Sequence, residues 1–174
     1  MKLRTTDIAV IAISAAFWSV INATLAPIFW QLTRLPILCD ILAVVSLAIA
    51  LWWTRKLGAA TLVGLLATAL NFVLRPGATH FLGFTAASVV YDLLARMLGY
   101  SRCFSASYSP VLLSFIGAAS TWLAGLLIGA FFMGGSVPIL YFSALHAAGG
   151  LIGSILSVAL IKAVERRGVK PQSS

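Results

Sequence analysis

Acidic residues are nearly missing from this chain: four Asp and Glu stand among 174 residues, and all charged residues together make up 9%. A water-soluble domain carries about 25% charged residues because its outer face must be offered to water. Here 61% of residues are hydrophobic, so the outer face must meet lipid. The shortage of carboxylates leaves paired-carboxylate chemistry with few candidates. The signatures of zinc peptidases, serine hydrolases, P-loop nucleotide binders and dinucleotide binders are also absent. The chain has two cysteines, Cys39 and Cys103. The topology below places them near opposite membrane faces, which excludes a disulfide between them, and two lone cysteines make no metal site. No cofactor is implied.

The net charge of +8 would point to nucleic acid if the basic residues formed one stripe. Instead they fall in small groups between apolar runs, as topology determinants do, and nucleic acid is not an expected partner. The short basic N-terminal tail runs directly into a long apolar segment without a small-residue cleavage site, and reads as the start of a span.

At about 20 residues per crossing, the length accommodates six spans and short loops in a single transmembrane domain, residues 1–174. The apolar runs and their punctuation predict an all-α integral membrane bundle with spans near 8–25, 38–53, 57–74, 81–98, 111–132 and 139–161. With both termini cytoplasmic, Lys2, Arg4, Arg55, Lys56, Arg96, Arg102, Lys162, Arg166, Arg167 and Lys170 lie inside, and only Arg34 and Arg75 outside. That asymmetry fixes the orientation. The fourth span carries Asp92 and Arg96, whose i, i+4 spacing predicts a pair on one helix face.

Small residues recur every fourth position. Gly117, Thr121, Gly125 and Gly129 mark the fifth span, Gly149, Gly153 and Ser157 the sixth, and Ala60, Gly64 and Thr68 the third. Such stripes let helix backbones approach closely in lipid, where apolar burial no longer drives association. Ala12 and Ala16 on the first helix serve either internal packing or the docking of a partner's helix.

Polar and aromatic residues converge on the outer side. Asn22 ends the first helix, Trp30, Gln31 and Arg34 occupy the first outer loop, and Asp40 begins the second helix. Asn71 and Arg75 close the third, His80 precedes the fourth, Trp122 lies well along the fifth, and Tyr141 and His146 are on the sixth. Intramembrane polar residues are costly and point to a site. Each has a plainer reading: Trp30 and Tyr141 as interface anchors, Asp40 as the counter-charge of Arg34 or Arg75, His80 as a solvated loop residue, His146 as a bond to a neighbouring helix. Their convergence predicts a pocket open to the outside, suited to a flat heteroaromatic ring.

Six short helices, Ala12-x-x-x-Ala16, an apolar third helix running into Leu70-Asn71-Phe72 and Arg75-Pro76-Gly77, and His146-Ala-Ala-Gly149-Gly150-x-x-Gly153 before a basic tail resemble a substrate-capture (S) component of an energy-coupling factor transporter. The resemblance implies a plasma-membrane vitamin-uptake module with no catalytic activity of its own. It would bind a vitamin or precursor, of the thiamine-precursor or cobalamin type, beneath a lid formed by the loop from Pro27 to Pro36. It would dock through Ala12 and Ala16 onto a transmembrane coupling subunit driven by two cytoplasmic ATPases. Two alternatives stay open: an intramembrane enzyme using His80 or His146 with Asp40, and a self-associating scaffold whose glycine stripes form oligomer contacts.

Overall fold

The computed structural model describes residues 3–171, so Lys2 of the inner basic set lies outside the described residues. Apolar side chains over long runs, with few interruptions by charge, give helices wherever backbone groups must be satisfied within the segment itself. Seven form among the described residues: α1 (Thr5–Thr33), α2 (Ile37–Thr54), α3 (Ala59–Leu74), α4 (Phe81–Leu98), α5 (Tyr100–Ser105), α6 (Ser109–Phe131) and α7 (Ile139–Arg166). No strand is present among the described residues. Five helices, α1, α2, α4, α6 and α7, are long and apolar enough to cross a membrane. The third expected span, α3, is apolar but has only 16 residues, about 24 Å at 1.5 Å per residue.

Two stretches differ from the sequence reading. The first helix does not end near Leu25 but continues through Pro27 to Thr33. Proline removes one backbone donor, yet the flanking apolar turns carry the helix past it. The expected lid loop is thereby reduced to Arg34, Leu35 and Pro36, and Trp30 and Gln31 sit on the last turns of α1. Arg34 closes the helix in the left-handed conformation, its N–H bonding the Trp30 carbonyl at 2.8 Å. The short α5 was not anticipated at all.

The six long helices close into a ring in the order α1, α3, α4, α6, α7, α2, with α2 also packed on α3. The glycine stripes make this closure possible. A Cβ on Gly117 would strike Ser154, on Gly150 Thr121 and the Gly117 carbonyl, on Gly64 Ser88, and on Gly149 Asp40. These stripes are therefore used inside the bundle, which leaves them no part in the oligomer contacts of a scaffold. Ser154 adds a hydroxyl bond across the α6–α7 seam to the Leu113 carbonyl at 2.9 Å.

One end of the ring is tied by polar contacts. Lys56 pairs with Asp7 at 2.7 Å, Trp52 donates to Glu165 at 2.9 Å, and Arg55 donates to Ser105 at 3.1 Å. This end holds the start of α1 and the finish of α7. Asp92 belongs to it and does not pair with Arg96. Its Oδ2 instead accepts the N–H groups of Gly58 and Thr61 and the Thr61 hydroxyl, at 2.8 to 3.0 Å. The first amides of a helix have no partner within it. Gly58, at the N-cap of α3, has no side chain to supply one, so a carboxylate from α4 does so.

Candidate functional site

At the opposite end, where α1, α3 and α6 finish and α2, α4 and α7 begin, a cavity of about 320 Å3 opens between the helices. Its walls come from residues far apart in sequence. Asn22, Ala26 and Trp30 line it from α1, Cys39 from α2, Phe84 from α4, Ile128 from α6, and Phe142 and His146 from α7. Gln31 of α1 and, in the connection between α3 and α4, Arg75 and His80 also line it.

Helical spacing explains the aromatic part. Phe142 and His146 are i, i+4 and share one face of α7, their rings 4.7 Å apart in an edge-on arrangement. Trp30 meets Phe142 edge-on at 6.3 Å. Phe84 lies 5.8 Å from the His146 ring and packs behind against the fully buried Trp18.

The polar part is built in two tiers. His146 Nδ1 lies 2.8 Å from Asp40 Oδ1, with both residues buried. The Asp40 oxygen holds the ring in place. Asp40 itself does not line the cavity; it is the positioning partner behind His146, and its neighbour is neither Arg34 nor Arg75. Asn71 is likewise fully buried behind the wall. Its amide donates to the Ala67 carbonyl at 2.9 Å and its oxygen accepts from Asn22 Nδ2 at 3.5 Å. Two atoms of wall residues, Asn22 Oδ1 and His146 Nε2, have no hydrogen-bond partner among the described residues. Buried polar atoms are rarely left so.

His80 is pushed down to about 4, first by burial and then by the Arg75 guanidinium and His146. It is a neutral imidazole on the wall rather than a solvated loop residue. Arg75 lines the same cavity and makes no ion pair among the described residues.

The expected site is thus divided. Asn22, Trp30, Arg75, His80 and His146 reach the cavity, while Asp40 and Asn71 stand behind it. Trp122 and Tyr141 do not reach it, being 37% and 61% exposed. Each is one residue, about 100° of helix rotation, away from an inward-facing neighbour, Thr121 and Phe142. Phe84, Ile128 and Phe142 escaped the sequence reading because an apolar cavity wall has the same composition as a packed core. Cys39 had one signal, its position beside Asp40.

No family model matches this chain, and no match was found among curated proteins or solved structures.

At the other end, Ala12 and Ala16 are exposed on α1, while Ser14 and Ala15 between them are buried against the bundle. Internal packing therefore does not account for the alanine pair. Ile13, Phe17 and Val20 share their outward face.

Proposed function

We propose that this protein is the substrate-capture subunit of an ATP-driven uptake transporter in the plasma membrane, of the energy-coupling factor type. In this reading it crosses the bilayer six times with both termini cytoplasmic. It binds a vitamin-sized molecule from outside and hands it to a transmembrane coupling subunit served by two ATPases.

The observation that carries the reading is the cavity of about 320 Å3 at the end poor in charge, with Asn22 Oδ1 and His146 Nε2 unpartnered on its wall residues. A small-molecule site is concave, mostly apolar and supplied with a few directed polar groups. Charge supports the orientation. Arg4, Arg55, Lys56, Arg96, Arg102 and the basic residues of the α7 end gather at the end away from the cavity, which positive-inside bias makes cytoplasmic. The short α3 fits a sixth crossing because local thinning of the bilayer accommodates a deficit of a few ångströms at modest cost. The exposed Ala12 and Ala16 supply a flat approach for a coupling subunit's helix.

The deciding experiment is mass spectrometry of small molecules retained by protein purified in mild detergent, together with identification of co-purifying proteins. The reading expects one retained molecule, a membrane coupling protein and two ATPases. An empty protein that also binds no vitamin-like solute would end it.

A second reading has one observation in its favour. The Asp40–His146 pair has the geometry of an oriented general base, as an intramembrane enzyme would need. Under that reading a molecule incubated with the protein is converted; under the first it is recovered unchanged.

A further inference from the structure

The two tiers of polar residues decide what kind of ligand edge the cavity accepts. The Ala67 carbonyl can only accept, so Asn71 turns its NH2 toward it and its oxygen toward α1. Only the NH2 of Asn22 can answer that oxygen, which leaves Asn22 Oδ1 as the free atom. The choice of amide orientation, ordinarily ambiguous, is set by a backbone group two steps away. On α7, Asp40 Oδ1 holds the His146 ring through Nδ1. Asn22 Oδ1 is therefore a free acceptor, and His146 Nε2 is a second polar atom without a partner among the described residues. The permanently charged side chain on the wall is Arg75, without an ion pair among the described residues.

Resting on the capture reading above, we propose that the ligand is a planar aromatic molecule with an amino-type donor edge, held by Asn22, and an anionic group facing Arg75. An exocyclic amine supplies the N–H bond that Asn22 Oδ1 lacks. Trp30, Phe84 and Phe142 supply the aromatic walls for its ring. A guanidinium binds a carboxylate in bidentate fashion, which favours Arg75 as the anchor of the outer end. Asp40 and Asn71 are positioning residues: neither lines the cavity, and each orients a residue that does.

The test compares three probes on the full chain in detergent: para-aminobenzoate, para-toluate, in which methyl replaces amino, and para-aminobenzamide, which lacks the anion. Equilibrium binding is expected to favour para-aminobenzoate over each of the others by about tenfold or more, the scale of a buried hydrogen bond lost. Asn22→Leu should abolish the preference for amino over methyl. Arg75→Gln should abolish the preference for the carboxylate, with thermal unfolding showing that each variant is folded. Binding of para-toluate as tight as para-aminobenzoate overturns the donor-edge assignment and leaves the capture reading standing. If none of the three binds, the retained molecule decides: an aromatic amine bearing an anion supports the proposal and any other structure overturns it. A protein that binds no probe and retains nothing overturns both.

Discussion

Asp40 and His146 are 106 residues apart in the chain, yet Asp40 Oδ1 and His146 Nδ1 are 2.8 Å apart. The contact exists because Gly149, one turn after His146, has no side chain. A Cβ there would come within 2.7 Å of the Asp40 Cβ and 2.8 Å of its Oδ2. The glycine that permits close packing of α2 on α7 also places the carboxylate on the imidazole.

Gly149→Ala is therefore expected to cost stability by overpacking, about 1–3 kcal/mol, and to weaken ligand binding by displacing Asp40. Gly77→Ala is the control, because nothing lies within 4 Å of a Cβ there. Unfolding in detergent and binding of the retained ligand measure the two effects. Equal behaviour of the two variants would refute the coupling of packing to the site.

Asp92 stabilises the start of α3 from another helix. Asp92→Ala removes three hydrogen bonds to Gly58 and Thr61 and should destabilise the protein by about 1–3 kcal/mol. Asp92→Asn keeps an acceptor and should cost clearly less. Hydrogen exchange at the first turn of α3 should rise in the alanine variant. Unchanged exchange there would exclude the capping role.

His80 titrates near 4 in the folded protein, below its usual 6.5, mainly because it is buried and secondly because Arg75 is near. The folded state therefore binds its proton less readily than the unfolded state. Its contribution to stability is full above 6.5 and falls as pH drops from 6.5 toward about 4. His80→Gln should flatten the loss of stability with acid in that window, read by thermal unfolding at a series of pH values. A variant with the same acid dependence as the parent would show that His80 does not contribute.

Ala16→Trp should abolish co-purification of a coupling subunit while leaving the retained ligand in place, because Ala16 is exposed on α1 and lies away from the cavity. Loss of both together would place the effect in the fold rather than in docking.

Single cysteines test orientation. With native Cys39 and Cys103 replaced by Ser, a cysteine at Arg34 should react with an impermeant thiol reagent from outside the cell. One at Lys170 should react only after the membrane is opened. The reverse pattern would invert the topology.

Apolar runs and their punctuation were enough to read the helical class, because in lipid every backbone group must be satisfied within its own segment. The i, i+4 glycines announced close packing for the same local reason. Local rules misread Pro27, where they predicted an ending and packing carried α1 onward, and Asp92, where Arg96 was the nearest partner by spacing and the α3 amides were nearer in space. They brought Trp122 and Tyr141 into the site by depth alone, since depth is legible from position while rotation about the helix is set by which face the neighbour buries. Composition alone determined that this chain must meet lipid. Only tertiary structure decided which polar residues meet, since Asp40 with His146 and Asn22 with Asn71 join helices that no periodicity relates, through contacts only a closed ring can make.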